Sequence, residues 1–333
     1  ESAMEAGDAS GTGLFDVRQR KFDDASLSAF DALLANSTDA GLASRLPRLQ
    51  AVESPQSALG SVTASAAEQF GLAPGTLVSR GGGDNMMSAI GSGATQPGVT
   101  TLSLGTSGTV FAYSDSPVVD PEGLIAPFCG SAGGWLPLLC VMNLTGVTEE
   151  VRAGFKQDHE TLTACAREVE PGCDGLLWIP YLNGERVPDL PNATGTLLGM
   201  RPGNLRAGTM YRAALEGTSM NLAWGVERLR ALGVPTTELR LVGGAANNSL
   251  WREIIANCLN ASVTQLAEAE SAALGAALQA LWSWHHETGT PVALEELSAS
   301  CVQTLGEITP ADQELSARYA TLATRFRQEA LRV

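Results

Sequence analysis

The stretch Leu77-Val78-Ser79-Arg80-Gly81-Gly82-Gly83-Asp84-Asn85 decides how the chain is read. A short strand-like run over residues 77–80 meets three consecutive glycines, and a helical pattern follows over residues 85–90. A strand that ends in glycines and turns straight into a helix is the joint of an α/β fold. Bare backbone at three positions lets a ligand come close. The carboxylate after it can accept the proton of an attacking hydroxyl, or stand near a magnesium ion. Read by itself, Asp84 is better explained as a helix N-cap, which such turns commonly carry.

Downstream, residues 100–104 and 109–113 are strand-like and joined by Gly105-Thr106-Ser107-Gly108, a hairpin signal. Its small residues leave N–H groups and a hydroxyl free to cradle phosphate oxygens, although a plain hairpin turn explains them too. It is not a P-loop, because the Gly-Lys-Ser/Thr ending is absent. In Leu241-Val242-Gly243-Gly244-Ala245-Ala246-Asn247-Asn248 a strand runs through a glycine pair into a helix start. A flat adenosine fits against such backbone, with asparagine donors and acceptors at its edge; capping is the rival explanation for Asn247 and Asn248.

Glu185 and Arg186 are adjacent in a turn and predict a structural ion pair. His159, His285 and His286 sit in polar helix-end settings with no carboxylate-plus-nucleophile arrangement nearby, so a Ser-His-Asp hydrolase is not expected. Trp251, Trp282 and Trp284 read as packing residues.

The remaining pattern alternates strands and helices. A strand-like stretch at 12–17 comes first, then helical spacing at 26–36 and 61–71, with a Pro- and Ser-rich loop around Pro47 and Pro55 between them. A strand at 135–142, helices at 146–155 and 158–168, and short strands near 176–180 and 195–200 follow. The longest helix covers about 204–232, where Leu215, Leu222, Val226 and Leu229 predict one buried stripe and Gly233 a stop. A strand at 239–242, a helix at 248–259 and a helix beginning near 269 come next, and the domain boundary is placed close to Gly98.

With 333 residues, two lobes are the better starting point. The chain is 44% hydrophobic and 17% charged with 36 glycines, a compact α/β profile. A formal net charge of −15 speaks against nucleic acid as a partner, whereas a nucleotide can be held by backbone N–H groups and a metal ion. The six cysteines show no C-x-x-C spacing and read as reduced core residues of a cytoplasmic protein. The first residues are polar and no apolar run reaches the roughly 18 residues of a membrane span, so neither a signal peptide nor a membrane partner is expected.

Taken in order, Gly81-Gly82-Gly83-Asp84-Asn85, Leu104-Gly105-Thr106-Ser107-Gly108, Asn183-Gly184-Glu185-Arg186, Ala214-Leu215-Glu216-Gly217 and Gly243-Gly244 resemble the FGGY carbohydrate kinases over nearly the whole chain. The resemblance implies actin-like ATPase (ribonuclease H-like) lobes, each a mixed β-sheet flanked by helices, closing around ATP and a sugar. Residues 1–97 would be the last part of the first, sugar-binding lobe and 98–333 the complete second, ATP-binding lobe.

Asp84 would then be the general base, with an indirect part in holding Mg2+, and Asn85 a sugar contact. Glycerol kinases carry Gln at the latter position, so Asn favours a ketopentose acceptor such as xylulose. Thr106 matches the phosphate-contacting threonine, in a turn shaped by Gly105, Ser107 and Gly108. Gly146 and Glu150 fall where nucleotide contacts are placed at a helix start, an ordinary capped helix being the alternative. Gly243, Gly244 and Asn247 match the adenosine loop, with Asn248 an equal candidate.

A second signature spans residues 195–216, but Thr209 stands where an acidic, amide or His side chain is usual. Roughly the first third of a family member, including an early phosphate hairpin, has no counterpart, so the chain alone is expected to show little kinase activity. The partners implied are ATP and a small sugar, and a homodimer is compatible. The rival readings are a sister kinase acting on ribulose, gluconate, glycerol or another polyol, and an actin-like nucleotide-dependent binding module. The latter needs no acceptor base, and Asp84 argues against it.

Overall fold

The computed structural model describes residues 4–35 and 54–333. The loop expected around Pro47, and the last residue of the helix expected at 26–36, lie outside the described residues. The first part of the chain holds short elements: α1 (Ala6–Ser10), β1 (Phe15–Asp16), β2 (Lys21–Phe22), α2 (Asp24–Ala35), β3 (Ala58–Ser61), α3 (Ala64–Phe70) and β4 (Leu77–Ser79). β1 pairs with β2 and β3 with β4, both antiparallel. α3 is bounded as its sequence dictates: the Thr63 hydroxyl accepts the Ala66 N–H at its start, and Gly71 takes the left-handed conformation at its end. α4 (Asp84–Gly91) follows the three glycines.

From Gly98 the chain builds one seven-stranded sheet. Its first strands are β5 (Gly98–Leu104), β6 (Gly108–Ala112), β7 (Ala126–Cys129) and β8 (Trp135–Val141). α5 (Thr145–Phe155), α6 (His159–Arg167), the small pair β9 (Leu177–Ile179) and β10 (Thr196–Leu198), and α7 (Ala207–Ala231) come next. The chain then runs through β11 (Thr236–Val242), α8 (Ser249–Leu259), β12 (Val263–Leu266), α9 (Ser271–Glu287), α10 (Leu294–Cys301), β13 (Thr304–Thr309) and α11 (Gln313–Ala330). The strand order is β13-β12-β11-β5-β6-β8-β7. β5, β11 and β12 are mutually parallel neighbours and the other pairings are antiparallel, which makes the sheet mixed.

Side-chain alternation gives this sheet two buried faces. Leu102, Leu104, Val110, Ala112, Leu139 and Val141 point into one core with α5, α7 and α8. Val99, Phe111, Leu136 and Leu138 point into another, with α4, α9 and α10. The strands and helices expected from 98 to 260 are all present, with ends shifted by a few residues. β7, α10, β13 and α11 were not among the expected elements, although Leu315, Tyr319, Leu322 and Phe326 of α11 repeat at four, three and four residues.

The stripe of Leu215, Leu222, Val226 and Leu229 on α7 is fully buried, but so is most of the rest of that helix, including Arg212, Glu216 and Asn221. α7 is therefore a central helix enclosed on all sides, and its polar residues find partners inside. Two expectations fail at the surface. Cys165 and Cys301 are exposed, although all six cysteines are free, and Trp284 is 48% exposed. Among the described residues no helix is long and apolar enough to cross a membrane.

α4 joins the two parts of the chain by lying directly on α9. A Cβ built on Gly91 would overlap the Ser271 carbonyl oxygen, and one on Gly275 would overlap the Met87 carbonyl oxygen. The two helices thus touch backbone to backbone, an approach that only glycine permits. Gly275→Ala is expected to lower stability by about 1–3 kcal/mol through overpacking. A urea melt would show it as an earlier midpoint, and an unchanged midpoint would mean that the helices are free to move apart.

Candidate active site

The turn between β5 and β6 is held from below by the start of α5. The Gly105 N–H donates to the Ser107 carbonyl at 3.2 Å, closing the turn. The N–H groups of Leu144 and Thr145 donate to the carbonyls of Thr106 (3.2 Å) and Gly105 (3.1 Å). Gly105, Thr106 and Ser107 are left exposed at the tip, while Gly108 is buried against Leu144 and Val141. Gly146 lies beside this tip: a Cβ there would sit 3.7 Å from the Thr106 methyl carbon. The structure thus brings together Thr106 and Gly146, which the sequence separates.

β11 delivers the second loop to the same place. Because β11 runs parallel to β5, with Val242 opposite Ser103, their carboxyl ends lie side by side. Gly243 has φ +92°, and a Cβ on it would come within 2.7 Å of the Leu104 carbonyl oxygen, so this glycine serves close packing. Gly244 faces open space and lines a cavity of about 670 Å³, together with Thr145, Asn247 and Asn248. That volume suits a nucleotide-sized ligand.

Of the two asparagines, Asn248 does cap α8: its Oδ1 accepts the Trp251 N–H at 3.2 Å while its Nδ2 donates to the Thr163 hydroxyl at 2.9 Å. Asn247 accepts from the Gln265 amide at 2.7 Å. Both side chains are already engaged, and both still face the cavity.

The opposite wall of the cavity was not legible in the sequence. His159, at the start of α6, reaches the Glu149 carboxylate with Nε2 (2.6 Å) and the Tyr211 hydroxyl with Nδ1 (2.9 Å). With Nε2 donating to the carboxylate, Nδ1 of the neutral ring accepts from the tyrosine. His159 thus has a carboxylate neighbour in the polar helix-start setting expected of it, and its hydrogen-bond partners do not include the serine nucleophile of a Ser-His-Asp arrangement. Hydrogen bonds from His159 and Arg152 hold the Glu149 carboxyl below its ordinary range, and burial pushes the Tyr211 phenol up. Glu149 lines the cavity, whereas Glu150, one position on and exposed, is not part of its wall. Trp251 is buried and lines the same cavity, its indole N–H donating to the Ser219 hydroxyl at 3.1 Å.

Asp84 is the first residue of α4, and the N-cap is Gly83, which makes no side-chain bond. The capping explanation for Asp84 therefore fails. Its exposed carboxylate accepts from the Asn85 N–H (2.7 Å) and the Asn85 side-chain amide (3.1 Å). Asp8 borders the same segment: a Cβ on Gly83 would stand 3.2 Å from its Oδ1. Only folding brings Asp8 there. Asp84 and Asn85 do not line the nucleotide-sized cavity. α4 packs on the α9 face of the sheet and the cavity lies among α5, α6, α7 and α8.

The adjacent Glu185 and Arg186 do not pair as expected. Glu185 is buried, and its carboxylate takes the N–H groups of Met142 (2.6 Å) and Arg186 (2.7 Å) and the amides of Asn143 (3.1 Å) and Asn221 (3.3 Å), while Arg186 is exposed. A buried carboxylate is better satisfied by four fixed donors than by one flexible cation. The arrangement fixes the strand-to-helix connection that leads from β8 to α5.

A mixed sheet whose strand tip, helix start and glycine loop enclose one nucleotide-sized cavity, with a carboxylate at a separate helix start, is the layout of a sugar-kinase lobe. The chain belongs to the FGGY family of carbohydrate kinases: the family's C-terminal domain matches residues 100–284 and its N-terminal domain residues 1–91. It is 40% identical over 279 residues to the xylulose kinase of Haemophilus influenzae, covering 84% of this chain and 55% of that protein. It is 37% identical over 284 residues to the xylulose kinase of Streptomyces coelicolor, covering 84% of this chain and 53% of that protein. Among solved structures, the xylulose kinase of Bifidobacterium adolescentis is similar with a TM-score of 0.79 and 29% identity, over 96% of this chain and 62% of the other. The chain thus spans about half the length of the curated relatives it matches.

Proposed function

We propose that the chain carries the ATP site and the catalytic carboxylate of a kinase that phosphorylates a ketopentose, D-xylulose being the acceptor. The observation that carries this reading is Asp84: an uncapped, exposed carboxylate that follows three glycines and has a sugar-contact candidate, Asn85, beside it. In the proposed step a sugar hydroxyl oxygen attacks the γ-phosphorus of ATP, its proton passes to the Asp84 carboxylate, and ADP leaves with the bridging oxygen. Asp8 borders the acceptor side of the site.

ATP would occupy the cavity at Gly244, with Gly243 packing the loop and Asn247 and Asn248 at its edge. Its phosphates would run toward Gly105, Thr106, Ser107 and Gly108, with Gly146 beside them. Glu149 is better placed to face the nucleotide than Glu150. Since Asp84 and the cavity stand apart, the reading requires the lobes to close, as a kinase must in order to exclude water. The boundary between them is proposed near Gly98.

A magnesium ion bound with the nucleotide would supply neutralisation of phosphate charge, with Asp84 the residue of this chain that would stand near it. Among the described residues no group of three or more His, Cys, Asp or Glu could hold a metal ion. An ion of this kind would be bound mainly by the nucleotide, with Asp84 contributing indirectly. Six free cysteines support a reducing, cytoplasmic setting, and a net charge of −15 speaks against a polyanionic partner.

The experiment is an ADP-release assay over D-xylulose, ribulose, gluconate and glycerol. D-xylulose is expected to give the largest kcat/KM. A larger value for another polyol would move the assignment to a sister kinase; because this chain alone is expected to show little activity, only the failure of every sugar to stimulate a longer product that contains it would favour a nucleotide-dependent binding module.

A further inference from the structure

The N-terminus of α7 opens into a second hollow, separate from the nucleotide-sized cavity but sharing α6 as a wall. Cys165 and Glu168 line this hollow, whereas Thr163, Ala164 and Arg167 of the same helix line the other. Its volume is about 460 Å³, and a neighbouring hollow of about 380 Å³ shares Asp174 and Arg206 with it.

Three features of this helix end favour a negative ligand. First, the N-cap is Arg206, whose side chain makes no capping bond, and no acidic residue lies in the first turn. The first helical bond is from Met210 N–H to the Arg206 carbonyl at 2.9 Å, so the N–H groups of residues 207–209 precede it and point out of the helix end. Second, Arg206 lines both hollows and Arg201 only the neighbouring one, and neither guanidinium has a hydrogen-bond or ion-pair partner among the described residues. Third, Thr209 is only 1% exposed, lines the hollow, and its hydroxyl has no hydrogen-bond partner among the described residues. A buried hydroxyl without a partner is costly unless a ligand supplies one.

Carboxylates are present as well. Glu168, Glu170 and Asp174 line the hollow; all three are exposed, and Glu170 lies 3.8 Å from Arg318. Arg201 and Arg206 are exposed as well, so water screens charges of both signs, and the N–H groups of the helix end and the buried Thr209 hydroxyl supply most of the attraction.

We propose that this hollow is an oxyanion site, in which a phosphate group accepts from the α7 N–H groups, the Thr209 hydroxyl and the two arginines. The group is either free phosphate or the phosphoryl end of a small metabolite. The site is distinct from the one that would hold ATP, and α6 and α7 contact both: Tyr211, two residues beyond Thr209, bonds His159 in the nucleotide-sized cavity.

Equilibrium dialysis of labelled inorganic phosphate at low salt tests the proposal, using the whole chain, an Arg201→Ala/Arg206→Ala variant and Thr209→Val. The double variant is expected to bind about tenfold more weakly, and Thr209→Val a few-fold more weakly, because charge-assisted bonds exceed neutral ones. Glycerol 3-phosphate is run as a competitor: tighter competition than by phosphate itself assigns the site to a phosphorylated metabolite, and weaker competition to the free ion. Thermal melts monitored by circular dichroism confirm folding, and Thr209→Val alone carries the test if the double variant does not fold. No phosphate bound by the natural chain, or equal binding by all the folded variants, overturns the site.

Discussion

Asp84→Asn is expected to reduce kcat for phosphorylation of D-xylulose by about 10²–10⁴, the usual contribution of a positioned general base. The measurement belongs in whichever form of the protein turns over D-xylulose and ATP, this chain or a longer product that contains it. Asparagine keeps the size of the side chain and removes only its ability to take a proton. Gly83 holds the N-cap and, among the described residues, Asp84 bonds only to Asn85, so the N-cap itself is not at stake. The melting temperature should therefore hardly change, and the KM for ATP should stay close to that of the unaltered protein, since Asp84 does not line the cavity. A kcat that survives the substitution would remove Asp84 from the reaction. A fall in kcat accompanied by a large loss of stability would make it a structural residue.

Glu216→Ala carries the second large effect, on stability. Glu216 lies in the enclosed middle of α7 and its carboxylate accepts from Arg212 Nε (2.8 Å), the Tyr319 hydroxyl (2.9 Å) and the Gly172 N–H (3.0 Å). The side chains of Arg212 and Glu216 are 7% and 4% exposed, so neither charge has recourse to water. Burial pushes the Tyr319 phenol far up, helped by the adjacent Glu216 charge, which keeps it a donor. Removing the carboxylate would strand a buried guanidinium and orphan a buried N–H and a hydroxyl. About 3–5 kcal/mol of stability should be lost, read as a fall in the denaturant midpoint. Replacing both charges, with Arg212→Met and Glu216→Leu, should cost less than Glu216→Ala alone. Equal losses would mean that the pair is not the unit that stabilises α7 against α11.

The parts of this account that the sequence displayed are those in which local pattern and tertiary role coincide. The β5–β6 hairpin was legible because small residues at 105–108 interrupt two apolar alternations, and those alternations face real cores on both sides. Gly243 was legible as a special position, although its φ and its contact with Leu104 show a packing role beside the ligand role proposed for Gly244. The triad of Glu149, His159 and Tyr211 was not, because its members sit on three helices and no spacing announces them. Glu185 misled for a related reason. Adjacency to Arg186 suggested a pair, while the buried position of the turn selected backbone and amide donors from the connection between β8 and α5 and from α7. On α7 the apolar stripe was visible, but the burial of Arg212, Glu216 and Asn221 depends on neighbours far along the chain.

The measurement that tests the central claim most directly is a structure with D-xylulose and a non-hydrolysable ATP analogue bound. The account predicts the base in the cavity at Gly244, the γ-phosphate over the turn at Thr106, and a sugar hydroxyl within about 2.6–3.2 Å of an Asp84 carboxylate oxygen. A triphosphate that leaves the turn empty, or a sugar bound out of reach of Asp84, would contradict it.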